Sequence, residues 1–134
     1  FDPLSNAAIS ALFSSIMSFP AGNVAALCDA YGGAIAQVAA NATAFPHRAP
    51  GAYSIQYYSR WTSSADTAAR LSRLSQVYNA MAPYRSGAAY VNYCDLDLGP
   101  GYANAYWGAN LTRLRQIKAS LDPANLFHHG QSVP

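Results

Sequence analysis

The most informative segment of this sequence is Tyr90-Val91-Asn92-Tyr93-Cys94-Asp95-Leu96-Asp97-Leu98-Gly99. Aromatic and β-branched residues are followed by acidic residues and glycine, a pattern typical of a strand that enters a sharp loop. Because side chains alternate along a strand, Tyr93 and Asp95 would share one face. The other face would carry Tyr90, Asn92 and Cys94. Both faces are polar, so we expect something other than hydrophobic core beside this segment.

This segment resembles the Tyr-x-Asn-Tyr-x-Asp-Leu-Asp motif near the C-terminus of the berberine-bridge-enzyme-like flavin oxidases, a branch of the vanillyl-alcohol-oxidase superfamily. The similarity continues, with family-like spacing, through residues 106–111, 113–114 and 121–134. Upstream, Tyr-Gly-Gly at 31–33 and Phe-Pro-His-Arg at 45–48 also resemble family landmarks. Several separate motifs in the family's order make the resemblance specific over residues 29–134.

The periodicity of the remaining sequence predicts an α+β fold, with an antiparallel or mixed sheet covered by helices on one face. Strands are predicted over residues 23–31 and 52–61, and residues 34–44 are predicted to form a further strand or a loop. A first helix is predicted to begin at Asp2-Pro3 and to end at Pro20 and Gly22. Further helices are predicted over residues 62–83 and 107–121, the former with an apolar stripe that includes Leu71.

The resemblance implies that the chain is the C-terminal portion of a longer enzyme. On this interpretation residues 1–98 belong to a substrate-binding domain. Residues 99–134 form a C-terminal helix and tail that return to the FAD-binding domain, most of which lies outside this chain. The predicted partners are therefore the N-terminal portion of the same enzyme, a small-molecule or oligosaccharide substrate, and O2.

The overall charge is low, with charged residues at 10% and a formal net charge of +2. Such a weak field gives no reason to expect nucleic acid or a membrane as a partner. The ten tyrosines, the low charge and two N-glycosylation sequons favour a secreted glycoprotein. The acceptor residues of those sequons are Asn41 and Asn110.

The resemblance implies an FAD-dependent oxidase that acts on an alcohol or sugar hydroxyl by hydride transfer to flavin N5, with O2 as acceptor and H2O2 as product. Tyr93 falls at the position of the family's tyrosine base. Asp29 falls at the position of a carboxylate that assists this tyrosine in carbohydrate-oxidising members. The residues through which the family often binds FAD covalently belong to the N-terminal part, and Tyr90 and Asn92 are predicted to face the cofactor.

The predicted strand 52–61 places Ser54, Gln56 and Tyr58 on one face, where we expect substrate-binding residues. In plant alkaloid- and cannabinoid-type relatives a Glu acting as catalytic base falls at position 54. A serine cannot perform a carboxylate's proton chemistry near neutral pH, which favours oxidation of a hydroxyl over ring closure. The alternatives are an oxidase or oxidative cyclase of a secondary metabolite, and a catalytically weak, allergen-like relative.

The two cysteines, Cys28 and Cys94, allow one intrachain disulfide. We predict this bridge if the strands that carry them are neighbours, and two buried free thiols or pairing with the missing portion are equally consistent with the sequence. No metal site is predicted, because His47 and the pair His128-His129 lack further ligands at suitable spacing. Asp29 could also be an ordinary strand-end carboxylate in water.

Overall fold

The computed structural model describes residues 4–20 and 23–134, and it confirms the predicted α+β class. In chain order its main elements are α1 (Asn6–Met17), β1 (Ala25–Ala30), β2 (Tyr53–Tyr58), α2 (Thr67–Ala80), α3 (Tyr102–Trp107) and α4 (Leu111–Leu121). Short 3-10 turns occupy Ser64–Asp66, Ala82–Tyr84, Leu96–Gly101 and Gly108–Asn110. None of the described helices is long and apolar enough to span a bilayer.

The chain separates into two compact units. The first unit contains the described residues up to Ala30 together with Tyr53–Ser86, and the second contains Tyr31–Ala52 together with Gly87–Pro134. The boundary predicted between residues 98 and 99 concerns the domains of a whole enzyme and stays a prediction.

Helix α1 begins at a capped N-terminus, where the Ser5 hydroxyl accepts a hydrogen bond of 3.1 Å from the amide of Ala8. Its apolar residues recur at helical spacing, so Ala8 and Leu12 lie on the face that packs against the core. The helix ends at Met17, ahead of Pro20. The predicted start at Asp2-Pro3 and the predicted stop at Gly22 lie outside the described residues.

The sheet of the first unit pairs β1 with β2 in antiparallel orientation. Ala26, Ile55 and Tyr57 pack against a core that α1 and α2 help to form. This core consists of Ala8, Leu12, Val24, Val77 and Met81. The packing face of β2 is therefore the one opposite Ser54, Gln56 and Tyr58.

Helix α2 follows a 3-10 turn that is capped by the Ser63 hydroxyl. Val77 and Met81 are its most buried side chains. Leu71 belongs to the predicted apolar stripe but is 51% exposed, so the prediction for this residue is wrong. The inward face is centred on Val77, and Leu71 lies at the edge of that face.

The strand predicted over residues 90–98 is wrong. The amide of Tyr93 donates to the carbonyl of Tyr90 at 2.9 Å, and the amide of Asp97 donates to Asp95 Oδ1 at 2.9 Å. These local bonds form turns and use groups that a sheet ladder would need. With polar side chains on both faces, a strand here would also have had no face to bury. Residues 34–44 form turns as well, so the loop alternative holds there.

The helix predicted over residues 107–121 is divided in the structure. Helix α3 ends at Trp107, and Gly108 has a φ of +47°, a conformation that favours glycine. A 3-10 turn then leads into α4 at Leu111. The core of the second unit lies around α3 and contains Ala103, Tyr106 and Trp107.

Candidate active site

The first unit presents a polar surface on the side of the sheet away from its core, here called the open sheet face. It consists of Leu27, Asp29, Ser54, Gln56 and Tyr58. Asp29 lies directly opposite Ser54, and Leu27 lies opposite Gln56, so these residues share a face. The structure therefore brings the predicted substrate-binding residues and Asp29 onto one surface.

The open sheet face is exposed where a ligand could reach it. Asp29 is exposed, and Tyr58 is 41% exposed. The hydroxyl of Ser54 is buried and has no hydrogen-bond partner within the described residues. A buried hydroxyl without a partner costs about 1–3 kcal/mol, so this oxygen is available for a ligand or for another part of the protein. A carboxylate, a hydroxyl, an amide and a phenol together can bind a hydroxylated ligand through donors and acceptors.

The second unit contains an aromatic cluster made of Tyr31, Phe45, His47, Tyr90 and Tyr93. Its rings meet edge to face, with centroid distances of 5.3 Å for Tyr90 and Tyr93 and 5.6 Å for Phe45 and Tyr90. Phe45 also contacts Tyr31 and His47, each at 5.3 Å. Edge-to-face pairs contribute roughly 0.5–1.5 kcal/mol beyond area burial, so the cluster orders the loop residues that carry it.

Tyr93 lies at the edge of this aromatic cluster and is 45% exposed. The Tyr90 ring beside it is held in turn by the Asn92 side-chain amide, which donates to the Tyr90 hydroxyl at 2.7 Å. The Tyr31 hydroxyl is buried without a partner within the described part of the chain. The Tyr93 phenol is thus accessible on a supported ring, as a base for an incoming substrate must be.

A closed set of hydrogen bonds, here called the Asp95 clamp, holds the residue two positions after Tyr93. The Asp95 amide donates to the Tyr106 hydroxyl at 3.0 Å. That hydroxyl donates to Gln131 Oε1 at 2.8 Å, and Gln131 Nε2 donates to the Asp95 carbonyl at 2.7 Å. Burial raises the pKa of the Tyr106 phenol, so it remains a protonated donor.

The Asp95 clamp has no recognisable signature in the sequence. Gln131 belongs to the C-terminal segment that carries the family resemblance, but the sequence does not show its partner 25 residues away. Tyr31, Phe45 and His47 belong to the upstream landmarks, and their contacts with each other and with Tyr90 likewise have no signature in the sequence. Asp29 and Tyr93 belong to different units, and their predicted pairing stays a prediction.

The predicted disulfide is absent, since Cys28 and Cys94 are both free. The expectation required two neighbouring strands, but residues around Cys94 form a turn and its thiol donates to the Val91 carbonyl at 3.2 Å. Within the described ranges, β1 pairs with β2 alone. Both thiols are exposed, which also corrects the alternative of buried thiols.

The two sequons differ in their surroundings. Asn41 is exposed. The Asn110 side-chain amide donates to the carbonyls of Ala40 at 2.7 Å and Thr43 at 3.0 Å, tying the start of α4 to that loop. Asn110 therefore has a structural role, and glycosylation of either residue stays a prediction.

The C-terminal tail is held at the end of α4 by Asp122. Its carboxylate accepts hydrogen bonds from the amides of Leu126 at 2.7 Å and Phe127 at 3.0 Å, and it pairs with Lys118. The hydrogen bond from Lys118 lowers the pKa of Asp122 below its usual 3.8. The side chains of Leu126 and Phe127 stay 75% and 82% exposed. Residues 4–20 and 23–134 contain no group of three side chains able to hold a metal ion.

Residues 89–134, which include Tyr93 and the whole Asp95 clamp, match the protein family described as "Berberine and berberine like". The chain belongs to the berberine-bridge-enzyme-like family. Berberine bridge enzyme-like 17 of Arabidopsis thaliana is 37% identical over 119 residues, which cover 78% of this chain and 22% of that protein.

Solved structures extend this similarity to almost the whole chain. A variant of berberine bridge enzyme in complex with (S)-reticuline is 29% identical, with a TM-score of 0.89 over 99% of this chain and 31% of that one. A glycopeptide hexose oxidase complexed with teicoplanin is 28% identical, with a TM-score of 0.87 over 99% of this chain and 30% of that one. The chain therefore spans less than a third of the length of these relatives.

Proposed function

We propose that the chain contributes the catalytic tyrosine and part of the substrate-binding surface to an FAD-dependent oxidase of alcohol or sugar hydroxyls. The observation that carries this proposal is the 45% exposed Tyr93 phenol on a turn supported by the aromatic cluster and the Asp95 clamp. An exposed phenol on an ordered turn is suited to a proton-transfer role that needs a fixed position. O2 would be the electron acceptor, and H2O2 would be its reduction product.

The residues of this chain fit an aromatic cofactor. The exposed Tyr93 ring and the adjacent Tyr90 offer an apolar, polarisable edge, and the Asn92 amide and the unpartnered Tyr31 hydroxyl offer polar groups. Tyr90 and Asn92 are the residues we propose to hold FAD. Bound FAD would accept the hydride that leaves the substrate carbon. Any covalent attachment of FAD would involve residues outside this chain.

Tyr93 is proposed to take the proton of the substrate hydroxyl while the hydride leaves the same carbon. The O–H and C–H bonds break, a C=O bond forms, and the proton passes to the side-chain oxygen of Tyr93. A positioned base contributes typically ~10²–10⁴-fold to such a step. By the family resemblance, Asp29 is proposed to assist as the carboxylate that takes up the phenolic proton or orients the ring.

The proposed substrate class rests on the open sheet face. Its carboxylate, hydroxyl, amide and phenol suit the hydroxyl groups of a sugar. By the family resemblance, Ser54 falls where alkaloid-type relatives have a catalytic Glu. The similarity to a glycopeptide hexose oxidase supports the same class.

A second candidate is an oxidase or oxidative cyclase of a secondary metabolite. The similarity to berberine bridge enzyme in complex with (S)-reticuline favours it.

The rest of the enzyme is the proposed partner of the exposed apolar side chains. Leu96 is 84% exposed, and the consecutive residues Leu126 and Phe127 are 75% and 82% exposed. Large apolar side chains exposed together mark interaction surfaces. We propose that the N-terminal portion covers them. Secretion and a glycan at the exposed Asn41 complete the proposal.

Purified full-length enzyme tests the substrate class. Its flavin absorbance would be followed anaerobically with hexoses, oligosaccharides, simple primary alcohols and benzylisoquinoline alkaloids, and H2O2 would be measured in air. We expect bleaching by a sugar or alcohol and release of H2O2. Bleaching by the alkaloids alone would support the cyclase-type candidate, and bound flavin that no substrate class reduces would support a weakly catalytic relative.

A further inference from the structure

Gln131 is the one buried polar or charged residue of the described chain, with a relative exposure of 6%. Its side-chain amide uses both ends: Oε1 accepts from Tyr106, which is 1% exposed, and Nε2 donates to the Asp95 carbonyl. Burying an amide without partners is costly, and here both partners are supplied within the second unit.

The Asp95 clamp fixes one end of the turn that carries Tyr93. Tyr106 accepts from the Asp95 amide and Gln131 donates to the Asp95 carbonyl, so both backbone groups of this residue are held. The other end of the turn is closed by the bond from the Tyr93 amide to the Tyr90 carbonyl, and the Tyr90 ring lies in the aromatic cluster. Tyr93 thus sits between two fixed points.

The tail segment that carries Gln131 is itself bonded to α3. The Tyr102 hydroxyl donates to the Ser132 carbonyl at 2.8 Å, and His129 Nδ1 accepts from the Gln131 amide at 3.2 Å. The position of the Tyr93 turn therefore depends on the position of the tail, because the Gln131 side-chain amide bonds the two. Within the turn, Asn92, Tyr93 and Cys94 are exposed, and Val91 packs against the core around Tyr106 and Trp107.

We propose that Gln131, acting with Tyr106, is a positioning residue that sets the place of the Tyr93 phenol for proton transfer. The proposal rests on the proposed catalytic role of Tyr93. A displacement of about 1 Å at a reacting group can cost roughly 10²-fold in rate, so loosening this turn lowers the rate of the chemical step without removing the base.

The test uses full-length enzyme with a substrate that bleaches its flavin. Gln131→Leu removes both hydrogen bonds of the amide, and Gln131→Glu removes the donor to the Asp95 carbonyl. Gln116→Leu, an exposed glutamine of α4, is the matched control. Flavin reduction at saturating substrate would be measured across pH, with KM, flavin content and Tm recorded for each protein.

We expect Gln131→Leu to lower the rate of flavin reduction by ~10–100-fold, with KM and flavin content close to wild type. Gln131→Glu should lower it at least as much, because its buried carboxylate faces the Asp95 carbonyl oxygen. Gln116→Leu should keep it within about 2-fold. If Gln131→Leu yields no flavin-bound protein, Tyr106→Phe serves in its place, because it deletes one oxygen and both of the bonds that this oxygen makes. A normal rate in Tyr106→Phe would then contradict the inference.

The Tyr93→Phe background separates this inference from the proposed function. If Gln131 acts through Tyr93, Gln131→Leu should cost under about 3-fold in Tyr93→Phe enzyme, since groups that act as a unit are not additive. An equal loss in both backgrounds would show a general structural effect and overturn the inference. A Tyr93→Phe enzyme with the wild-type rate would overturn the proposed function, whereas a slow Tyr93→Phe enzyme beside a normal Gln131→Leu enzyme would overturn the inference alone.

Discussion

The open sheet face of the first unit and the Tyr93 turn of the second are ordered by different means. On the open sheet face, Asp29, Ser54 and Gln56 are placed by the backbone ladder of β1 and β2. Around Tyr93, backbone geometry is irregular and position depends on side chains, namely the aromatic cluster and the Asp95 clamp. A single substitution should therefore disturb the Tyr93 turn more than the open sheet face.

The largest effect is expected at Tyr93. Tyr93→Phe in the full-length enzyme should slow flavin reduction by ~10²–10⁴-fold, because the phenol oxygen is the proposed base and the ring contact with Tyr90 survives. Stopped-flow absorbance measures the rate, and the flavin spectrum reports whether FAD is bound. Tyr84→Phe, which removes the hydroxyl of a 40% exposed tyrosine in the first unit, is the matched control. Near-wild-type reduction in Tyr93→Phe would place the base elsewhere.

A smaller effect is expected at Asp29, on the open sheet face. Asp29→Asn keeps the size of the side chain and the sheet register but removes the charge. We expect a loss of roughly 10-fold in flavin reduction, since the carboxylate is proposed only to assist the tyrosine. In the double variant with Tyr93→Phe, the loss should barely exceed that of Tyr93→Phe alone. Asp66→Asn is the surface control. Additive losses in the double variant would mean that Asp29 acts independently of Tyr93, for example in binding substrate.

The same contrast explains what could be predicted from the sequence. Periodicity predicted α1, α2 and the faces of β2, because burial on one side leaves a regular pattern of apolar residues. The register of Asp29 against Ser54 depends on how two separate strands pair, which a single sequence does not show. Residues 90–98 had strand-like composition, yet local bonds to Tyr90, Val91 and Asp95 made turns instead.

The second unit was the harder to predict because its organising contacts are between distant side chains. Gln131 bonds to the Asp95 carbonyl 36 residues away and to Tyr106 25 residues away, and neither separation has a periodic signature. Gly108 divides a helix whose apolar spacing continues across it. The family resemblance located Tyr93, but the means of holding it in place became visible only in the structure.

The smallest effect is expected at Asp122, where a side chain orders the tail that leads to Gln131. Lys118 lowers the pKa of Asp122, so the folded state favours the carboxylate relative to the unfolded chain. The stabilisation is therefore present above the usual value of 3.8, and it is lost as the pH falls through the lower pKa of the folded state. Hydrogen exchange of the Leu126 and Phe127 amides in the full-length enzyme, corrected for intrinsic rates, should show protection that declines over this acidic range.

Asp122→Asn should show weak protection at every pH, and Asp97→Asn should retain the wild-type profile. Protection that is independent of pH in the wild type would show that the tail is held without the Asp122 charge, and the position of Gln131 would then depend on Tyr102 and α3 alone.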